Sequence, residues 1–268
     1  MPKVKVGDIT IYYEVHGEGE PLLLIAALSS DVTSWRLQTP EFSKKYRVIV
    51  FDNRGVGRTD VPDMPYSIEM MADDAAGLLD SLNIKNSHIL GISMGGFIAQ
   101  ELALKYPQRV KSLILATTAA SAPFLAKHFW DTWVRMVQEG VSWEIIWRNV
   151  MPWVYTDKFF ENPEQVQMVI NRILTYPYQQ PAHAFARQAT ACAEHDTRDR
   201  ISQITAPTLV LVGREDIYLP VKLSEELAAG IPNAELVVLE GGGHGFSGEI
   251  PDKFNQAVLD FLAKVEKG

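Results

Sequence analysis

The segment Gly91-Ile92-Ser93-Met94-Gly95 constrains this chain more than any other stretch of its 268 residues. It follows a short apolar run, Ser87 to Ile92, and opens a periodic stretch carrying Ile98, Leu102 and Tyr106 that stops at Pro107. Glycines two residues either side of a serine, where a strand gives way to a helix, describe a turn too tight to admit neighbouring side chains. Such a turn forces the serine into a strained backbone conformation and pushes the Ser93 hydroxyl into the open at the edge of a sheet. It also sets the Met94 amide at a helix N-terminus, where it can donate to a developing oxyanion. The pattern carries this meaning only inside a strand–helix framework, so the rest of the chain must supply one.

The framework is legible. Ile9-Thr10-Ile11-Tyr12-Tyr13-Glu14-Val15 alternates and then turns at Gly17 and Gly19, as antiparallel strands at a sheet edge do. Leu22 to Ile25, Val48 to Phe51, Ile89 to Ile92, Leu113 to Leu115 and Leu209 to Val212 are short, unalternated apolar runs, the signature of strands buried on both faces. Between them lie helical patterns. Ser67 caps a stretch carrying Ile68, Met71, Ala75, Leu78, Leu79 and Leu82, and Phe254, Val258, Phe261, Leu262 and Val265 mark the last. Strands alternating with helices predict an α/β fold, a mostly parallel twisted sheet with helices on both faces. From about Ala120 to Ile201 the alternation stops, and Trp130, Trp133, Trp143, Trp147 and Trp153 crowd a stretch with no buried-strand run. Residues 120–201 therefore read as a helical cap inserted into a core made of 1–119 and 202–268. The tryptophans read mainly as the core of the cap, with Trp130, Trp133 and Trp153 as candidates to face a substrate.

A serine hydroxyl needs a base. His244 lies in Gly241-Gly242-Gly243-His244-Gly245, directly after the apolar run Leu236 to Leu239 and before the last helix, where flanking glycines let an imidazole reach inward. His16 and His88 read as structural, and His128, His183 and His195 fall in the insertion. No histidine pair has metal-ligand spacing and no H-E-x-x-H is present, so no metal is expected. The base in turn needs a carboxylate to fix its tautomer. Asp216 stands just past the buried run Thr208 to Val212, with its neighbour Glu215 as the competitor. The order is then Ser, Asp, His.

On these residues the chain resembles the α/β-hydrolase fold family over nearly its whole length, and within it the 3-oxoadipate enol-lactonase and carboxylesterase group. Besides Gly91 to Gly96 and Gly243-His244, the resemblance is carried by three segments: Asp52-Asn53-Arg54-Gly55-Val56-Gly57-Arg58-Thr59, Tyr106-Pro107-Gln108-Arg109-Val110 and Ala206-Pro207-Thr208-Leu209. Many members carry His-Gly after the third strand, where this chain has Ala26-Ala27-Leu28-Ser29-Ser30; the enol-lactonase-like group also lacks it. The resemblance implies acyl transfer by a Ser93–His244–Asp216 triad through an acyl-enzyme, with no cofactor. Its oxyanion hole is formed by the Met94 amide and a second amide, with Leu28 the first candidate and Ala27 the next.

Net charge is −8 and no Lys/Arg block offers a face to nucleic acid. No apolar run approaches the ~20 residues that span a bilayer. One cysteine and no leader-like N-terminus imply the cytoplasm. A small-molecule carboxylic ester or lactone is the expected substrate; a homo-oligomer is compatible with the sequence. Carbon–carbon hydrolysis of ring-fission products, thioester hydrolysis and perhydrolysis would use the same triad, although Ala26 to Ser30 lacks the glycines usual in the first of these. A non-catalytic binding protein would not need the intact set. The aromatic insertion, including Phe159, Phe160, Tyr176 and Tyr178, predicts an apolar pocket, with Arg135, Arg148, Arg172 and Arg187 available to meet a substrate carboxylate.

Overall fold

The buried apolar runs build one eight-stranded sheet among the described residues. The structure is a computed structural model and describes residues 2–267. The strands are β1 (Lys3–Val6), β2 (Ile9–His16), β3 (Glu20–Ile25), β4 (Tyr46–Phe51), β5 (Ser87–Ile92), β6 (Val110–Ala116), β7 (Thr208–Gly213) and β8 (Ala234–Leu239). Their spatial order is β1-β2-β4-β3-β5-β6-β7-β8. Only β2 runs against its neighbours; every other pairing is parallel. The longer helices are α1 (Ile68–Ser81), α2 (Met94–Lys105), α3 (Phe124–Gln138), α4 (Trp143–Val154), α5 (Pro163–Thr175), α6 (Ala182–Glu194), α7 (Val221–Gly230) and α8 (Pro251–Val265).

Lack of alternation in the strands has a direct cause, since both faces of the sheet are covered. Leu23, Ile25, Ile49, Ile89, Leu113, Leu115 and Val210 pack with α1, α2 and Leu227 of α7. Leu22, Leu24, Val48, Val50, Leu90, Ile114, Leu209 and Leu211 pack on the other side with Phe254, Val258 and Leu262 of α8 and with Trp35 and Phe42. Ser67 caps α1, its hydroxyl accepting the Met70 amide at 3.1 Å.

The loop after β4 cements the carboxyl end of the sheet. Buried Asp52 accepts the amides of Val32 and Arg58, each at 2.8 Å, and Asn53 donates to the Ala26 carbonyl at 3.2 Å. Burial pushes the Asp52 carboxyl up to about 6, while the two amides pull the other way. Gly57, at φ +61°, lies so close to the Asp52 carboxylate that a Cβ there would overlap it. Arg54 is buried beneath, with Asp74 at 2.6 and 2.8 Å. The Gly55-Val56-Gly57 turn is thus structural.

Helices α3 to α6 lie between β6 and β7, and the chain leaves and re-enters the core at one neck. Ser121 bridges Asp196, and the Thr197 amide donates to the Ala120 carbonyl at 2.8 Å. His195 sits in this neck, stacked on Phe97 at 4.4 Å, with both ring nitrogens buried and unpartnered. Burial pushes its imidazole down to about 3. The unfolded chain therefore binds a proton below about pH 6.5 that the folded chain refuses until about pH 3, so folding is penalised by acid across that window. His195→Met is expected to remove this term. The stability of the parent should fall relative to that variant by up to about 1.4 kcal/mol per pH unit below 6.5, measured by urea unfolding at pH 7, 6 and 5. A parallel pair of curves would disprove it.

Candidate active site

The turn around Ser93 is set by close approach at Gly91 and Gly95. Ser93 takes φ +54° and ψ −116°, a conformation that L-residues rarely adopt. A Cβ on Gly91 would overlap the Gly95 carbonyl, and one on Gly95 would overlap the carbonyls of Ile25 and Ala26. The start of α2 is thereby pressed against the end of β3, which brings the Met94 amide beside the loop Ala26 to Ser30. Neither the Met94 nor the Leu28 amide has a protein acceptor among the described residues. The Ser29 amide, by contrast, is taken by Gln188 Oε1 at 3.2 Å. Ser29 itself sits at φ +62°, the left-handed region where glycine is the usual occupant.

Ser93, His244 and Asp216 are brought together. His244 Nε2 lies 3.1 Å from Ser93 Oγ, and its Nδ1 lies 2.9 Å from Asp216 Oδ2. Asp216 Oδ1 accepts the amides of Tyr218 and Leu219 at 2.9 and 2.8 Å. Each contact of Asp216 uses it as an acceptor, so the imidazole carries its hydrogen on Nδ1 and leaves Nε2 free to accept from the serine. Glu215 is exposed, and its amide is spent on the Gly242 carbonyl at 3.0 Å. The histidine loop packs so tightly on β7 that a Cβ on Gly213 would overlap the Gly242 carbonyl.

Several contributors lie outside the sequence reading. Thr117, directly after β6 and at φ +46°, donates to Asp216 Oδ2 and stands 3.0 Å from His244 Nδ1. A polar residue just beyond a buried strand is the same signal that marked Asp216, and it was available in the sequence. Tyr218 presents its ring edge-on to His244 at 4.8 Å. Glu249 ties the histidine loop to the cap: Oε2 accepts the Gly243 amide at 2.9 Å, and Oε1 accepts the amide and hydroxyl of Thr156 at 2.9 and 2.7 Å. Gln188 of α6, fully buried, accepts from Gln180 at 2.9 Å and donates to the Arg54 carbonyl at 2.8 Å, while Gln180 donates to the Gly55 carbonyl at 3.0 Å. These two glutamines join the cap to the loops after β3 and β4.

Over Ser93 and His244 lies a cavity of about 210 Å³, walled by Leu28, Trp130, Trp133, Trp143, Trp147 and Phe185 among others. Trp130 and Trp133 line it as expected; Trp153 does not. Its ring packs on Phe129 at 4.1 Å inside the cap, while Ile146, Trp147, Val150 and Val154 of the same helix line the cavity. Phe159 and Phe160 are also displaced from the pocket: they pack with Met151, Val169 and Ile170 in a separate small core. Tyr176 and Tyr178 line an outer cleft. Three of the four insertion arginines are occupied on the cap or rim, Arg135 by Asp131, Arg148 by Glu144 and Arg187 by Asp63. His128 and His183 are exposed and line neither cavity.

The chain is similar in sequence and fold to known proteins. The family model described as the alpha/beta hydrolase fold matches residues 16–249. A protein of Azorhizobium caulinodans named as a carbamate hydrolase, RutD, is 31% identical, with 100% of each chain covered. The 3-oxoadipate enol-lactonase 2 of Acinetobacter baylyi is 32% identical over 94% of this chain and 92% of its own length. Among solved structures, the enol-lactonase of Burkholderia xenovorans superposes with a TM-score of 0.90 at 27% identity, covering 98% of this chain and 100% of that one.

Gly95→Ala tests the contact that aligns the two loops. The added methyl has only backbone carbonyls to meet, so it should destabilise the fold by about 1–3 kcal/mol and slow reaction of Ser93 with a fluorophosphonate at least tenfold. A variant with parental melting temperature and labelling rate would refute the packing argument.

Proposed function

This chain belongs to the α/β-hydrolase fold family and is a hydrolase, and we propose that it cleaves carboxylic esters or lactones by serine acyl transfer. The observation that carries the reading is the continuous hydrogen-bonded line from Ser93 Oγ through His244 to Asp216 at the floor of a tryptophan-walled cavity. Ser93 Oγ attacks the carbonyl carbon while His244 Nε2 takes its proton. The Met94 and Leu28 amides receive the charge that develops on the carbonyl oxygen. The imidazolium, steadied by Asp216, passes the proton to the leaving oxygen, and the ester bond breaks to leave an acyl-serine. Water, losing a proton to the same nitrogen, attacks that ester and releases the acid and Ser93. No step calls on a cofactor.

The relatives named as carbamate hydrolases support a second reading, since a carbamate carbonyl would be opened by the same attack. Carbon–carbon cleavage is less well supported, because the loop after β3 reaches its left-handed conformation with Ser29 rather than with glycine. One preparation assayed on a p-nitrophenyl ester, a neutral lactone, an aryl carbamate and a ring-fission product separates these. If the carbamate or the ring-fission product wins in kcat/KM by more than about a hundredfold, roughly 2.7 kcal/mol, the ester and lactone class is displaced.

Ser93→Ala is expected to lower kcat on the order of 10⁶-fold in a folded protein. Asp216→Asn should cost about 10⁴, because an amide selects the wrong imidazole tautomer. Glu215→Gln should stay within a few-fold of the parent. Residual activity of Ser93→Ala within tenfold of the parent, or equal effects at 215 and 216, would break the assignment.

A further inference from the structure

The last residue of β6 and the two that follow it touch all three members of the triad. The Ala116 carbonyl accepts the Ser93 amide at 3.0 Å, and the Thr118 hydroxyl donates to the Ser93 carbonyl at 3.0 Å. Between them, the Thr117 hydroxyl donates to Asp216 Oδ2 and stands 3.0 Å from His244 Nδ1. The nucleophile is thus tied to β6 through its backbone, and the acid–base pair through one side chain.

That side chain is placed against the preference of its backbone. Within β6, Leu113 and Leu115 pack on the face of α1 and α2, and Ile114 and Ala116 on the opposite face. Continued regularly, the strand would carry the side chain at 117 to the first of these faces. The Thr117 amide still donates to the Leu211 carbonyl of β7 at 2.7 Å, but its φ of +46° breaks the alternation, and the side chain meets Asp216 and His244 instead. Ser29, Asn83, Ser93 and Thr117 are the non-glycine residues of positive φ among the described residues, and Thr117 alone of these is β-branched. A branched side chain is poorly suited to that region. Strain of this kind, fully buried and in contact with a catalytic pair, points to a role in the reaction.

Thr117 Oγ1, His244 Nδ1 and Asp216 Oδ2 form a closed triangle that shares two hydrogens, and its Nδ1–Oδ2 side measures 2.9 Å. An ionised carboxylate only accepts, so the hydroxyl hydrogen points at Oδ2. The lone pairs of Oγ1 are then turned from the carboxylate, and one is available to the Nδ1 hydrogen. Asp216 Oδ1 is already filled by the Tyr218 and Leu219 amides, so Thr117 completes the second oxygen. When Nε2 takes the serine proton, positive charge spreads to the Nδ1 hydrogen, and bonds from a charged donor are the stronger ones. A hydroxyl oxygen that already faces that hydrogen meets the charge without rearranging.

We propose that Thr117 is a positioning residue for the triad: its hydroxyl holds Asp216 and shares the Nδ1 hydrogen, and so steadies the imidazolium that forms as Ser93 attacks. The inference rests on the serine acyl-transfer reading above and adds a residue to it. The hydrogen on Nδ1 stays there throughout, and Thr117 touches no substrate.

Thr117→Val keeps the branched shape and removes the hydroxyl; Thr117→Ser keeps the hydroxyl and removes the branch. With p-nitrophenyl butyrate, Thr117→Val should lower kcat about ten- to a hundredfold, with KM within about threefold of the parent. Thr117→Ser should recover kcat to within about fivefold. Should the valine variant not fold, Thr117→Gly, which suits a positive φ, should show the same loss of kcat in a folded protein. A side chain wanted only for its shape gives the reverse ranking, so a valine variant of near-parental kcat, or a serine variant as slow as valine, overturns the proposal. The proton NMR signal of the His244 Nδ1 hydrogen gives a readout that needs no substrate. Identified by its loss in His244→Ala, it should move beyond its linewidth in Thr117→Val and return toward the parental position in Thr117→Ser. A signal that valine leaves unmoved, or none in the parent, refutes the shared hydrogen. If the parent hydrolyses no ester and a fluorophosphonate does not label Ser93, the acyl-transfer reading fails separately, and the NMR signal alone decides the part assigned to Thr117.

Discussion

The pressing of Gly95 against the last carbonyls of β3 is the constraint on which the rest of the site depends. Because no side chain intervenes, α2 starts directly over the sheet, Ser93 takes φ +54°, and the start of α2 lies against the Ile25 and Ala26 carbonyls. The cost of that conformation, of order 1–3 kcal/mol, is borne by a core covered on both faces. Elements that look remote share in holding it. The carboxylate of Asp52 fixes the segment before Trp35, and Asn53 holds the Ala26 carbonyl. The loop after β3 is thus held from one side by the segment after β4 and from the other by Gln188.

The histidine and aspartate are held by a different device. The loops after β7 and β8 are joined by glycine contacts and amide-to-carbonyl bonds, which hold Asp216 and His244 side by side next to β6. Thr117 closes this unit from the adjacent strand. With two amides and a hydroxyl on its two oxygens, the carboxylate has little freedom to turn away from the imidazole, and the orientation of the base follows from backbone geometry more than from side-chain packing.

What could be read from the sequence was whatever depends on local steric or periodic rules. Unalternated runs gave the buried strands, Gly91 and Gly95 gave the nucleophile turn, and position past a buried strand gave Asp216. What could not be read was whatever depends on how one helix is rotated against another. Trp153 and Trp147 are both tryptophans on α4, six residues apart; one faces the cavity and one the interior of the cap, and composition cannot distinguish them. Phe159 and Phe160, which counted toward an aromatic insertion, pack in a small core of their own. Gln180, Gln188 and Glu249 had no local signature, because each bonds to residues far along the chain.

The neck at Ser121 and Asp196 bears on how such a molecule can change. A chain that departs and returns at adjacent points closes its loop with little dependence on what lies between. The segment that shapes the chamber is therefore a cassette in topological terms, and it can be lengthened, shortened or exchanged without moving a strand of the sheet. What limits exchange is a set of polar fastenings to the core, among them the paired glutamines, the Thr156–Glu249 contact, the Arg187–Asp63 pair and the Gly245 amide on the Val154 carbonyl. A graft that kept those few polar anchors would inherit the chemistry below it and bring its own selectivity, so that in this architecture recognition and bond cleavage are separable heritable traits.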